Sequence, residues 1–277
     1  MQALLSYRPP SPALRGWVRQ HQFVRLRFAA GSAVPVKAYW PRPAAALAFY
    51  PRDLERIGIG LAAPEVLKPR AVLIGQPTVV TQRLLGLDSS VYQIEFEPGA
   101  LHRLLGLNLD ELTDRYVDAE AALPSGIRAL ADLIEEEDQP SAQMAAAERY
   151  LLGLVQACRR RELAADRVAA RLIEHPDSLL EPLARMNGLS LRQLQRQAPQ
   201  SLGVGPRLLA RIARFDRAVR TATSPTAGSL LQLAVDAGYH DHQHLARDFR
   251  QFTLSTPSAF LARERGAPEQ HFGLREG

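Results

Sequence analysis

Two stretches of the sequence share one pattern: LARMNGLSLRQLQRQ at residues 183–197 and LAVDAGYHDHQHLAR at residues 233–247. When Gly188 is aligned with Gly238, both copies begin with Leu-Ala, turn at the glycine, and continue into a polar stretch that carries Leu and then Arg. Two helices joined by a short turn containing Gly are typical of helix-turn-helix units, whose second helix enters the major groove of DNA. The repeat predicts two such units.

The second helix of the first unit has one apolar face and one polar face. Ser190 with Gln193 forms a potential capping box that would start the helix, and similar pairs occur at Ser178–Glu181 and Ser229–Gln232. Helical periodicity puts Leu191, Leu194 and Ala198 on the buried face. The opposite face carries side chains suited to guanine and adenine edges: Arg192, Gln195 and Arg196. Any surface helix presents polar residues outward, so this face alone does not establish DNA binding.

The second helix of the second unit is predicted to begin at Asp241, a good N-cap. Its buried stripe is Leu245, Phe249 and Phe252. Its exposed face carries Gln243, Arg247 and Arg250, with His244 at the margin.

Residues 206–222 are predicted to form a stiff helix between the two units. Pro206 suits a first helical turn, and 17 residues would span about 25 Å. A spacer of that length could hold the units about one DNA turn apart, roughly 34 Å. The candidate phosphate contacts on this helix and on the last recognition helix are Arg207, Arg211 and Arg250.

These blocks together closely resemble the DNA-binding domain of AraC/XylS-type transcription regulators. The resemblance extends from GLSLRQLQRQ through GVGPRLLARIARFDRA and LAVDAGYHDHQHLARDFRQFT to Thr256–Phe260. It implies about seven helices and two recognition helices in successive major grooves. Carried over by position, it implies base contacts by Arg192, Gln195 and Arg196 in the first unit, and by Gln243, His244 and Arg247 in the second. One departure is Ala198-Pro199, where the family usually has a Phe. We expect it to end the first recognition helix early and to make Arg192 matter less than Arg247.

The N-terminal part is predicted to be β-rich. Short apolar or alternating runs at 23–28, 46–50, 71–74 and 92–96 are separated by Pro and Gly. Helical periodicity begins after Gly99, with helices predicted at 126–137 and 142–161. This half is similar to the cupin-like sensor domains of one group of the same regulators, which are followed by dimerising helices. The predicted architecture is therefore α+β. It comprises a β-barrel with trailing helices (1–160), an all-α DNA-binding domain (161–265) and a mobile tail (266–277).

Charge and cysteine content restrict the function classes. Residues 1–158 carry net −1 and residues 159–277 carry net +6, so the whole excess of +5 lies in the predicted DNA-binding part. The single cysteine, Cys158, leaves no disulfide framework within one chain. No signal peptide or spanning segment is recognisable, and the expected location is the cytoplasm.

Other chemistries are less well supported by the sequence. His240 and His244 have a metal-ligand spacing, but Asp241 is placed as the helix cap between them, so we expect no metal and no cofactor. A metal-dependent cupin enzyme would need several histidines in the β region, where residues 1–100 hold only His21, so we expect no enzyme. The alternative is a ligand-binding or enzymatic β domain whose helical region binds another protein.

The expected partners are double-stranded DNA, a small-molecule effector, a second copy of the chain in a homodimer and, from the resemblance alone, RNA polymerase. Aromatic residues of the β region could line an effector cavity, although the core of a β domain uses the same residue types. The candidates are Tyr39, Trp40, Tyr50 and Tyr92.

Overall fold

The computed structural model describes residues 2–34, 36–222, 235–239 and 241–265. Within these residues the chain forms two antiparallel sheets followed by helices, which confirms the predicted α+β class. The predicted tail at 266–277 and the capping pair Ser229–Gln232 lie outside the described residues.

Ten strands build the two sheets. They are β1 (Gln2–Arg8), β2 (Val18–Arg27), β3 (Val36–Tyr39), β4 (Ala46–Phe49), β5 (Arg56–Ile59), β6 (Val66–Leu67), β7 (Ala71–Ile74), β8 (Thr81–Leu84), β9 (Asp88–Phe96) and β10 (Tyr116–Asp118). One sheet has the order β1-β2-β9-β4-β7-β10, and the other has the order β3-β8-β5-β6. All four predicted strands are present within these elements.

Ten α-helices lie in the described residues. They are α1 (Ala100–Leu105), α2 (Ala119–Ala122), α3 (Ile127–Glu136), α4 (Pro140–Ala157), α5 (Ala164–Glu174), α6 (Leu180–Met186), α7 (Leu191–Leu202), α8 (Pro206–Ala222), α9 (His242–Thr253) and α10 (Pro257–Arg265). Short 3-10 helices cover Pro12–Leu14 and Leu109–Leu112. No helix in the described part of the chain is both long and apolar enough to span a bilayer.

The six-stranded sheet separates two different environments. Because strand residues alternate between faces, Phe23, Tyr92 and Ile94 pack in a core with helices α1, α3 and α4. The next residues along the same strands, such as Val24 and Gln93, face the four-stranded sheet. The space between the two sheets contains the cavity described below.

Three tight clusters form the core of the helical part. Helices α5, α6 and α7 share a core that includes Leu183 and Leu194, and α8 continues it. Helices α8, α9 and α10 share an aromatic core centred on Phe215, Phe249 and Phe260, with ring centroids 5.0–5.5 Å apart. Helix α8 has exactly the predicted bounds and is buried along most of its length, because both helix-turn-helix units pack on it.

The sheet part and the helical part contact each other at several places, including Thr113 and Trp40. The hydroxyl of Thr113 donates to the carbonyl of Gly203, directly after α7. The indole of Trp40 packs edge-on against Phe260 of α10, with centroids 5.5 Å apart. Residues 158–163 contain no helix or strand. The predicted division near residue 160 remains a prediction, because these contacts join the two parts.

Two local expectations are wrong. The pair Ser178–Glu181 does not cap a helix, because α6 begins two residues later with Leu179 at its N-cap and no side-chain bond. Pro199 does not end α7, which continues to Leu202. Ala198 and Leu202 are buried with Leu209 in a common cluster, and this packing outweighs the hydrogen bond that proline cannot make.

Candidate nucleic-acid interface

The first recognition helix is α7, and its start is set by the predicted capping box. The Ser190 hydroxyl accepts from the Gln193 amide nitrogen at 3.2 Å, and the Gln193 side chain accepts from the Ser190 amide nitrogen at 2.8 Å. Gly188 makes the preceding turn at φ 73°, where a side chain would be strained. Leu194 and Ala198 are completely buried. The three predicted base-contacting side chains are all exposed: Arg192, Gln195 and Arg196.

The second recognition helix is α9, and Asp241 caps it as predicted. Its carboxylate accepts from the His244 amide nitrogen at 2.8 Å, and this hydrogen bond is the main cause of a lowered pKa for Asp241. Leu245, Phe249 and Phe252 are buried, which confirms the predicted stripe. The remaining predicted base-contacting side chains are also exposed: Gln243, His244 and Arg247. Exposure alone does not identify a base contact, so these assignments stay predictions.

Arginines of α8 hold the second unit in place. The Nε atom of Arg211 donates to an Asp248 carboxylate oxygen of α9 at 3.1 Å. Its Nη2 atom donates to the side-chain oxygen of Gln251 at 2.6 Å. Asp248 is buried and also accepts from the Tyr239 hydroxyl at 3.1 Å. Arg214 lies over the Tyr239 ring and donates to the carbonyl of Pro176. The register of α9 on α8 is therefore set by charged hydrogen bonds as well as by aromatic packing.

This arrangement changes one of the predicted phosphate contacts. Arg207 and Arg250 are exposed, as a phosphate contact requires. Arg211 is only partly exposed, and its guanidinium is bound to Asp248. We therefore correct its predicted role from phosphate contact to positioning of α9. It does, however, border a groove between α8 and α9 that His244 and Arg247 also line.

The metal alternative gains no support from the described residues. They contain no group of three or more metal-ligating side chains, and His240 lies outside them. The His244 Nδ1 atom is 3.4 Å from an Asp241 carboxylate oxygen.

The space between the two sheets forms a cavity, which two of the four candidate effector residues line. Tyr39 and Trp40 border it together with Arg83 and Glu55. The cavity is polar at one end, where Arg42 lies 3.9 Å from a carboxylate oxygen of Glu95.

Tyr50 and Tyr92 do not line this cavity, and their assignment to effector binding gains no support from it. The Tyr92 side chain lies on the face of β9 that points away from the cavity. Its ring stacks on Phe23 with the ring centroids 4.5 Å apart, and its hydroxyl forms a hydrogen bond with His21. Tyr50 is buried, and its hydroxyl accepts from the ammonium of Lys68 at 2.7 Å. Both tyrosines belong to the packed interior.

The charged side chains of the cavity were missed at the level of sequence. One signal was available in β9, where Ser89, Val91, Gln93 and Glu95 alternate with the large apolar residues from Tyr92 to Phe96. Polar residues at the positions that face a second sheet indicate an internal polar space. Arg83 had no such signal, because it lies in a short strand that the apolar pattern does not reveal.

Comparison with known proteins identifies the helical part most clearly. A protein-family model described as "Helix-turn-helix domain" matches residues 183–263, which contain both α7 and α9. No curated protein sequence matches the chain significantly.

Several solved structures resemble the whole chain more distantly. ToxT from Vibrio cholerae is 9% identical, with 91% of this chain and 100% of that chain covered and a TM-score of 0.48. An unsaturated fatty acid-bound ToxT is 11% identical, with 87% and 94% covered and a TM-score of 0.47. The AraC-like transcriptional activator CuxR is 16% identical, with 72% and 83% covered and a TM-score of 0.29. Likenesses at this level assign no function to individual residues.

Proposed function

We propose that the protein is an AraC-type, sequence-specific transcription regulator, whose helix-turn-helix domain at residues 183–263 places α7 and α9 in successive major grooves. The observation that carries this proposal is that both helices have one buried apolar face and one exposed polar face. In each, the apolar face is buried and the three side chains suited to base edges are exposed. Arg192, Gln195 and Arg196 would contact one groove, and Gln243, His244 and Arg247 would contact the next.

The exposed arginines around these helices support phosphate binding. Arg207 is the second residue of α8, and Arg250 lies one turn beyond Arg247, so both could contact the phosphate backbone beside a recognition helix. The concentration of positive charge after residue 158 favours the same polyanion. No catalytic role is proposed for any residue.

The cavity between the sheets supports control by a small molecule. It lies in the part of the chain that contains no recognition helix, and Trp40 borders both the cavity and the aromatic core behind α9. We further propose that the protein acts in the cytoplasm as a homodimer. Contact with RNA polymerase remains an expectation of the family resemblance.

Selection from random duplex DNA tests the proposed function. The full chain should enrich one motif with two segments about one helical turn apart. Its affinity for that motif should fall steeply with salt, because each neutralised phosphate releases counterions. Enrichment of no motif, or binding that salt leaves unchanged, would favour the alternative in which the helical part binds another protein.

A further inference from the structure

The cavity between the two sheets is small and has charged and amide side chains among its lining residues. Its volume is about 70 Å³, which is room for roughly five water molecules. Charged and amide groups of both sheets surround it: Gln22, Arg42, Glu55, Arg83, Gln93 and Glu95.

Arg83 lacks a counter-ion of its own among the described residues. Its closest carboxylate is that of Glu55, whose oxygen lies 3.9 Å from the Arg83 Nη1 atom. The same oxygen already accepts from the Lys68 ammonium at 2.7 Å, and Lys68 and Glu55 are both buried. The Arg83 side chain is itself 12% exposed. A nearly buried guanidinium that shares its only close carboxylate with a second cation favours an additional anion.

Two donors at the cavity have no acceptor. The Nε atom of Arg83 and the indole Nε1 atom of Trp40 are both buried, and neither makes a hydrogen bond within the described residues. Buried N–H groups are almost always bonded, and an unbonded one destabilises the folded state. Both side chains line the same cavity, so one ligand with two acceptor oxygens could bond to both.

We propose that this cavity binds a compact organic acid of about five to eight heavy atoms, whose carboxylate accepts hydrogen bonds from Arg83 and Trp40. This inference deepens the proposed effector control and rests on it for its regulatory meaning. A cavity of this volume fits a short acid better than a long alkyl chain. A neutral ligand would leave Arg83 without its anion.

Trp40 also gives the bound acid a route to the DNA-binding part. Its ring packs edge-on against Phe260, with the ring planes at 82°, and Arg42 lies over the same indole at 5.7 Å from its centroid. Phe260 in turn packs against Phe249 of α9 at 5.5 Å. An acid that fixes the indole through its N–H therefore fixes one wall of the core behind the second recognition helix.

Binding is measured first, on the full chain and without DNA. The chain has two tryptophans, so Trp17→Phe leaves Trp40 as the only indole reporter. Pyruvate should change its fluorescence saturably in a titration to about 20 mM, which detects a millimolar Kd. Pyruvamide, inorganic phosphate and decanoate are the comparison probes. Tighter binding of any of the three than of pyruvate, or no response to pyruvate in fluorescence and calorimetry, overturns the ligand class.

Substitutions then test the two donors. Arg83→Gln should weaken pyruvate binding by about 10- to 100-fold, because a hydrogen bond to a charged group is lost. Arg56→Gln is the matched control on the same sheet. Its side chain is exposed and donates to the carbonyl of Glu65, so pyruvate binding should change less than about twofold. Trp40→Phe keeps a ring against Phe260 but removes the N–H, and calorimetry should show about tenfold weaker binding. Equal affinities across these variants refute the assigned donors.

The coupling is tested last, with DNA. Phe260→Leu lies outside the cavity, so it should keep the Kd for pyruvate while abolishing the pyruvate-induced change in DNA affinity. An unchanged pyruvate effect in this variant, or no pyruvate effect in the wild type, refutes the coupling through Trp40. If pyruvate binds but no DNA motif is enriched, the proposed function fails and the acid site stands. If a motif is enriched but pyruvate does not bind, the acid site is refuted and the proposed function stands.

Discussion

Arg247 provides the sharpest test of base recognition, because its removal should affect DNA and little else. The side chain is exposed on α9, and no hydrogen bond within the described residues involves its guanidinium. Arg247→Ala should therefore leave the midpoint of thermal unfolding nearly unchanged. A bidentate contact between arginine and a base is worth about 1–3 kcal/mol of discrimination, which corresponds to roughly a 5- to 150-fold change in preference.

The matched control is Arg250→Ala, one turn further along the same exposed side of α9. If Arg250 contacts a phosphate, its loss should weaken all sequences equally and reduce the slope of log affinity against log salt by about 1. Selection of bound sequences with each variant separates the two roles. If Arg247→Ala retains full preference at every position, or only shifts the salt slope as Arg250→Ala does, the assigned base contact is refuted.

Three further outcomes concern stability. Ser190→Ala should lower the free energy of unfolding by about 1 kcal/mol because it removes an N-cap, whereas Ser178→Ala, which caps no helix, should change it little in urea melts. Arg211→Ala should cost about 2 kcal/mol, because Asp248 stays buried without its cation; a neutral effect would contradict the assigned pair. Burial, aided by the charge of Arg83, lowers the pKa of Lys68 to about 7 from 10.5. Between these values the unfolded chain binds the extra proton, so this group's contribution makes stability rise with pH, and Lys68→Met should flatten the rise between pH 7 and 10.

The structure removes the reason for ranking the two recognition helices. The sequence predicted a shortened α7 and a minor role for Arg192 because Pro199 follows Ala198. Instead α7 continues for three residues beyond the proline and packs on α5 and α8. We now expect Arg192→Ala and Arg247→Ala to have comparable effects on their own base positions. A much smaller effect of Arg192→Ala in the same selection would restore the original ranking.

Local patterns predicted the parts of the fold in which one segment carries its own signal. The apolar runs gave β4 and β7 closely, and the periodicity and caps gave the start of α7, the bounds of α8 and the start of α9. Strands such as β8, with sequence TQRL, were missed because their stability comes from the partner strands rather than from their own apolar content.

The partial success at the cavity has a related cause. Aromatic content alone cannot distinguish the two faces of a strand. Tyr92 was therefore grouped with Tyr39, although side chains alternate between faces and Tyr92 lies in the core on the other side of the six-stranded sheet. Arg211 shows the same limitation on a helix. Its exposure depends on Asp248, which is 37 residues away in sequence and comes close only when α9 docks on α8.

The contacts that Thr113 and Trp40 make between the sheet part and the helical part matter for protein engineering. A chimera that transplants residues 161–265 onto a foreign sensor would uncover Phe260 and the carbonyl of Gly203, both of which are satisfied here by the sheet part. Such a fusion needs a replacement aromatic side chain and a replacement hydroxyl in matching positions. Without them the transplanted segment would expose an apolar, aggregation-prone patch beside its second recognition helix.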